Sequence, residues 1–373
     1  MARVLLSGAL AGAPDQGGAA WSTLHFLLGL RSLGHDVLLA EPAPSGMAAL
    51  RAAVRYRREV AAELGLDVSR LLIVNPEEPA TTERDHAALA AFATGADVHV
   101  NLSGRLRAPA LTRRIPVRVY VDLDPGYTQA WAAQGADLGL ALHTHFVTIG
   151  PGIADRTRAP ADEATRWIGM MHPVFLPAWT PSPPPVAPFT TLGHWRSFGT
   201  LELDGRRYGP RAHTVRRFLG LPAKAPAGVR AALAIHPGDR RDAEVLRAHG
   251  WDLVDPGTVA RTPRDFQRFV GSSAGEIGLP KHGYVLWDCG WFSERSAAYL
   301  ASGRPVVALR TGFERYLPTG SGLLGFADED GAAASMRTVL AEHDAHARAA
   351  RALAEEHFDA SRLLAGLLET VGR

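Results

Sequence analysis

Cysteine is almost missing from this sequence: Cys289 stands alone in 373 residues, so no intramolecular disulfide can form and a reducing, cytoplasmic setting is expected. Long apolar runs are missing as well, and nothing approaches the roughly 20 residues of a transmembrane helix. Charge imbalance is the third absence. With 40 basic and 38 acidic residues the formal net charge is +2, which gives neither nucleic acid nor an anionic membrane a field to bind. Lysine occurs only at Lys224 and Lys281, arginine taking the other Lys/Arg positions. This bias, with heavy use of alanine and glycine, fits a GC-rich genome and singles out Lys281 as a lysine retained against the drift.

What is present is a globular composition, 46% hydrophobic with a mean hydropathy of -0.04, in a chain long enough for two cores. Met1 to Ala13 has the basic start, apolar stretch and Ala-Gly-Ala of a secretory leader. Ser7, Gly8 and Gly12 interrupt that stretch, and the segment reads better as a first buried strand followed by a glycine loop. Further strands are expected at 35–40, 71–74, 98–102, 117–123 and 146–149, with helices at 19–33, 48–64 and 86–94. Short apolar runs alternating with helical patterns make a parallel sheet covered by helices, a Rossmann-like unit.

Six prolines between Leu176 and Phe189 exclude helix and central strand, and mark a linker. Beyond it the alternation resumes, with strands expected at 189–192, 231–235, 252–254, 284–287 and 305–309. Helices are expected at 210–219 and 294–302, with a polar hairpin around Gly199 and Gly205. The expected architecture is α/β, two facing Rossmann-like domains with a cleft between them: residues 1–178, residues 189–355, and a final helix over 356–373.

One segment, Lys281 to Phe313, carries signs of chemistry. Ser293 is a natural N-cap, Glu294 suits the positive helix end and Gly303 is a helix-ending glycine. A helix starting in the loop after a strand turns its amides toward the crevice, where phosphate oxygens can bind. Lys281 would add a point charge, and Gly312 would let backbone approach a ligand. Trp195, Arg206, Arg207, Tyr208 and Arg211 offer base stacking or phosphate contacts near the first helix of the second half. The same strand, cap and glycine pattern also describes any well-formed βαβ unit.

The run WFSERSAAYLASGRPVVALRTGFERYLPTGSGLLGF, Trp291 to Phe326, resembles the donor-binding half of GT-B glycosyltransferases, particularly the group called family 1 or family 4-like. Weaker resemblance extends over 119–131, 143–152, 193–222 and 251–283. It implies a nucleoside diphosphate sugar held by the C-terminal domain, an acceptor held by the N-terminal one, and a last helix returning to the first domain. Lys281, Ser293, Glu294, Ser296, Gly312, Phe313 and Arg211 are the donor-side candidates. Retaining members carry two glutamates at positions that here hold Gly290 and Ala298, so inversion is the expectation.

Inversion needs a base on the N-terminal side. Asp15, in the loop after the first strand, is similar in position to the catalytic aspartate of heptosyltransferases with this fold. Asp124 is the second candidate base. Asp122 and Asp124 point to one face of a strand end, as do His143 and His145, and with Gly17 and Gly18 they complete the acceptor side. Asp122 and Asp124 also form the Asp-X-Asp of the GT-A fold, but the second-half signature argues against a metal site. The expectation is a metal-independent transferase, without a resident cofactor, acting on a small-molecule acceptor, such as a secondary metabolite, or on a glycan. A nucleotide-sugar epimerase of the same plan, or a non-catalytic sensor, is the alternative.

Overall fold

The structure is a computed structural model and describes residues 1–156, 165–182 and 188–372. Two parallel sheets face each other. The first contains β1 (Arg3–Ser7), β2 (Asp36–Pro42), β3 (Leu71–Val74), β4 (Val98–Leu102), β5 (Val117–Asp122), β6 (His145–Thr148) and β7 (Trp167–Gly169), in the order β3-β2-β1-β4-β5-β6-β7. In the second half come β8 (Phe189–His194), a small antiparallel hairpin of β9 (Leu201–Leu203) and β10 (Arg206–Tyr208), then β11 (Val229–Ala234), β12 (Asp252–Val254), β13 (Gly275–Gly278), β14 (Val306–Leu309) and β15 (Leu323–Phe326). The second sheet runs β12-β11-β8-β13-β14-β15. Both are covered on both faces, which is why strands such as LLIV and VVAL are buried at every residue.

The helix Ala360–Val371 packs on Gly17–Ser32 of the first half. The fit is backbone-close: a Cβ on Gly29 would lie 2.7 Å from Leu364 and 2.8 Å from Ala360. Among the described residues no helix is long and apolar enough to cross a membrane.

One expected element is corrected. Residues 284–287 do not form a strand but belong to the helix His282–Trp287, closed by Asp288 in the left-handed region at φ 52°. The strand is β13, with the sequence GEIG, whose glycines and glutamate hide its identity. A glycine is required there because a Cβ on Gly275 would meet Pro305 O at 2.6 Å. Lys281 therefore follows its strand instead of preceding it, and sits at the carboxyl edge of the sheet. Five of the linker residues, 183–187, lie outside the described residues.

Two seams join the halves. In one, Gly17 N donates to Ala260 O at 2.8 Å, Trp21 Nε1 to Pro263 O at 3.0 Å and Tyr56 OH to Arg261 O at 2.9 Å. In the other, Tyr127 OH donates to Gly209 O at 2.7 Å and Gln134 Nε2 to Glu202 O at 2.6 Å, the latter reaching the β9–β10 hairpin. Tyr208 stacks on Trp287 at 4.3 Å, and Trp287 meets Tyr127 edge-on at 4.5 Å.

Candidate functional site

Between the two sheets lies a cleft of about 1000 Å³. Every wall comes from a carboxyl end of a strand or the segment after it, where an open parallel sheet presents loops and helix starts to a ligand. From the first half come Asp15 and Gln16 after β1, Leu123 and Asp124 after β5, Ile149 after β6 and His172 after β7. From the second half come His194 at the end of β8, Arg211, the ends of β11 and β12, then Lys281, Tyr284, Glu294 and Arg295.

The second wall concentrates cations. Arg295 opens the helix Glu294–Ala301, where the Ser293 hydroxyl accepts from its backbone N at 3.2 Å. Its side chain is 12% exposed, with Nη1 3.7 Å from Glu294 and Nε 3.8 Å from Glu276 but without a hydrogen bond at Nε. Arg211 is buried and donates to Leu279 O. Burial, then the neighbouring charge of Arg295, pushes the Arg211 guanidinium down to about 9. Lys281 Nζ pairs with Asp124 at 2.6 Å and lies 4.1 Å from the Phe198 ring centre. The like charge of Arg295 disfavours the buried Arg211 guanidinium more than Glu276 and Glu294 favour it, and a bound anion would relieve that cost.

Neither a family model nor a curated protein sequence matches the chain. Solved structures do match over its full length. Anabaena HepE, solved with UDP and glucose, superposes with a TM-score of 0.62 at 12% identity, covering 100% of each chain. AviGT4, a glycosyltransferase of avilamycin A biosynthesis, gives 0.57 at 16% identity, covering 100% of this chain and 98% of its own. An α-glucosyltransferase solved with UDP-glucose and abasic DNA gives 0.61 at 12% identity, covering 99% and 98%. The fold is GT-B.

Within this GT-B cleft the expected site residues divide. Lys281, Glu294, Arg211, Asp15, Gly18 and Asp124 all line it. Ser293 and Ser296 are buried behind the cleft, lining with Phe313 a small void of about 20 Å³. Gly312, at φ 84°, turns the chain there, and a Cβ on it would collide with Arg315 and Asp288. Gly17 belongs to the seam, since a Cβ on it would lie 1.9 Å from Thr262 O.

Three further acceptor-side expectations, Asp122, His143 and His145, fall on residues that do not line the cleft. Asp122 is fully buried and accepts from Asp124 N, Thr128 Oγ1, Gln129 Nε2 and Thr148 Oγ1 at 2.5–3.0 Å, which leaves it shaping the loop; burial pushes its carboxyl up to about 6. His143 donates from Nδ1 to Gly139 O at 2.9 Å and accepts at Nε2 from Asn101 at 3.1 Å, so both ring nitrogens are satisfied. His145 begins β6, so it sits with His143 at the amino end of that strand, away from the cleft.

The two candidate bases differ. Asp124 accepts from Lys281 Nζ and, at 2.5 Å, from Tyr284 OH; its carboxyl stays below the ordinary range although burial opposes this, because Lys281 favours the charge. Such a carboxylate is a weak base. Asp15 stands at the rim, its side chain 46% exposed and 3.3 Å from Arg261. His172 and His194 join the cleft without a motif that marks them in the sequence. His194 Nε2 bridges to Gln16 Oε1 at 3.0 Å across the cleft, and His172 follows β7, whose three residues give no readable pattern.

Proposed function

We propose that this protein is a glycosyltransferase that moves a sugar from a nucleoside diphosphate sugar to a hydroxyl acceptor of a small molecule or glycan. The observation that carries this reading is the convergence of Arg211, Arg295, Lys281 and the start of the helix Glu294–Ala301 on one wall of the cleft. The bond that breaks in such a donor joins the sugar to a diphosphate, so charge builds on the leaving group and must be met by fixed donors. Arginines and helix amides can supply that stabilisation without a metal. Ile235, Val254 and Pro256, at or just after the ends of β11 and β12, give the same cleft apolar surface that suits a nucleobase. That neighbours in this fold were solved with UDP or UDP-glucose supports the same reading.

The first-half wall would take the acceptor, with inversion following from attack on the face opposite the diphosphate. The test is a thermal-shift series with UDP, GDP, ADP and dTDP. One of them is expected to raise Tm by several degrees at about 100 times its Kd, where ligand linkage contributes about 2.7 kcal/mol. No shift with any of the four would contradict the reading.

A further inference from the structure

We infer that His172 is the group that takes the acceptor's proton, with the Glu294 carboxylate across the cleft stabilising the imidazolium that results. This rests on the glycosyltransferase reading above.

The tautomer follows from the neighbours. His172 Nδ1 lies 3.0 Å from Pro173 O, a carbonyl that can only accept, so Nδ1 carries the proton and Nε2 carries the lone pair. Nε2 is buried and has no hydrogen-bond partner, while the residue, 2% exposed, contributes to the cleft wall. A buried acceptor without a donor is uncommon and calls for an explanation. The incoming hydroxyl of a substrate is such a donor.

The surroundings suit a base. His172 packs edge-on against Phe26 at 5.5 Å and His25 at 6.1 Å. His25 accepts at Nδ1 from Phe175 N at 2.9 Å, so its own proton is on Nε2. It is neutral, its basicity suppressed by burial and then by His172. Burial likewise lowers His172, partly opposed by Glu294, which keeps the imidazole neutral and ready to accept. The Glu294 carboxyl is held below its ordinary range against its burial because Arg295 favours its charge, and a His172 that has gained a proton would favour it further. The base stands on one wall and the cations on the other, as a single displacement requires. The acceptor O–H proton passes to Nε2, the acceptor oxygen bonds to C1 of the sugar, and the C1–O bond to the phosphate breaks. Its electron pair leaves with the nucleoside diphosphate, facing Arg211 and Arg295.

The experiment uses UDP-glucose with solvent water standing in for the acceptor, following UDP release from pH 5 to 9 in the wild type, His172→Gln and Glu294→Gln, with UDP binding measured in each. Glutamine keeps an acceptor at that position but not the basicity. Release by His172→Gln is expected to fall about 100-fold, with UDP affinity within threefold. The wild-type rate should drop as pH falls through an acid limb below pH 6.5, because protonated His172 cannot act. That limb should vanish in His172→Gln and move to lower pH in Glu294→Gln, which covers the case in which the first variant fails to fold. Equal release by wild type and His172→Gln, including none from either, overturns the assignment while UDP binding leaves the glycosyltransferase reading standing. A wild type that binds none of the four nucleotides overturns both.

Discussion

Arg211→Met is expected to raise the melting temperature while weakening nucleoside diphosphate binding about 100-fold, or about 2.7 kcal/mol. The two effects share one cause. Arg211 is desolvated, its one described hydrogen bond goes to a backbone carbonyl, and Arg295 is a like charge beside it. Methionine has a similar length and fills the same space without a buried charge, so the desolvation cost and the repulsion by Arg295 are removed, against the loss of the smaller attraction to Glu276 and Glu294. The guanidinium lies against Gly193, where a Cβ would come within 2.9 Å of it, so this glycine belongs to the same site. Removing a charge that pairs with a desolvated phosphate costs about 2–5 kcal/mol of binding. Calorimetric unfolding and titration with UDP check the two halves separately. Lower stability with unchanged affinity would make Arg211 a structural residue.

The second large effect is at the seam. Gly17→Ala is expected to destabilise the protein by about 3 kcal/mol, read by urea unfolding. The added Cβ would lie 1.9 Å from Thr262 O and 2.2 Å from its carbon, and these are backbone atoms that cannot rotate away. Gly17 opens a helix and already donates to Ala260 O, so the two halves must separate to admit a methyl group. Gly366 provides the control. It sits in the helix Ala360–Val371, and a Cβ added there would have open space for 4 Å around it, so Gly366→Ala should stabilise by up to about 1 kcal/mol. Equal effects at the two positions would mean that the seam is not close-packed.

Much of the fold is legible in the sequence because the parallel strands are short runs rich in apolar residues set between helical patterns. Arg3–Ser7, Leu71–Val74, Val98–Leu102 and Asp252–Val254 are the strands that the pattern indicates. β13 is illegible for the opposite reason: Gly275, Glu276 and Gly278 serve close backbone approach and a buried charge facing Arg295, both tertiary demands. Taking 284–287 for the strand puts Lys281 on the wrong side of it without removing Lys281 from the cleft. The acceptor wall is less legible. His143 and His145 alternate correctly, yet alternation does not say which end of a strand faces the ligand, and they precede β6 or begin it. His172 lies past a three-residue strand, and only its place on the cleft wall together with an unpartnered nitrogen, both three-dimensional facts, distinguishes it. Asp124 looks like a free carboxylate in the sequence; its partner Lys281 is 157 positions away, a pairing that spacing cannot reveal.

A crystal structure of the protein with UDP tests the central claim most directly. The account predicts the diphosphate at the start of the helix Glu294–Ala301, between Arg211 and Arg295, with the uracil against the apolar surface at the ends of β11 and β12. Uracil and phosphates bound elsewhere, with no phosphate contact to Arg211 or Arg295, would contradict it.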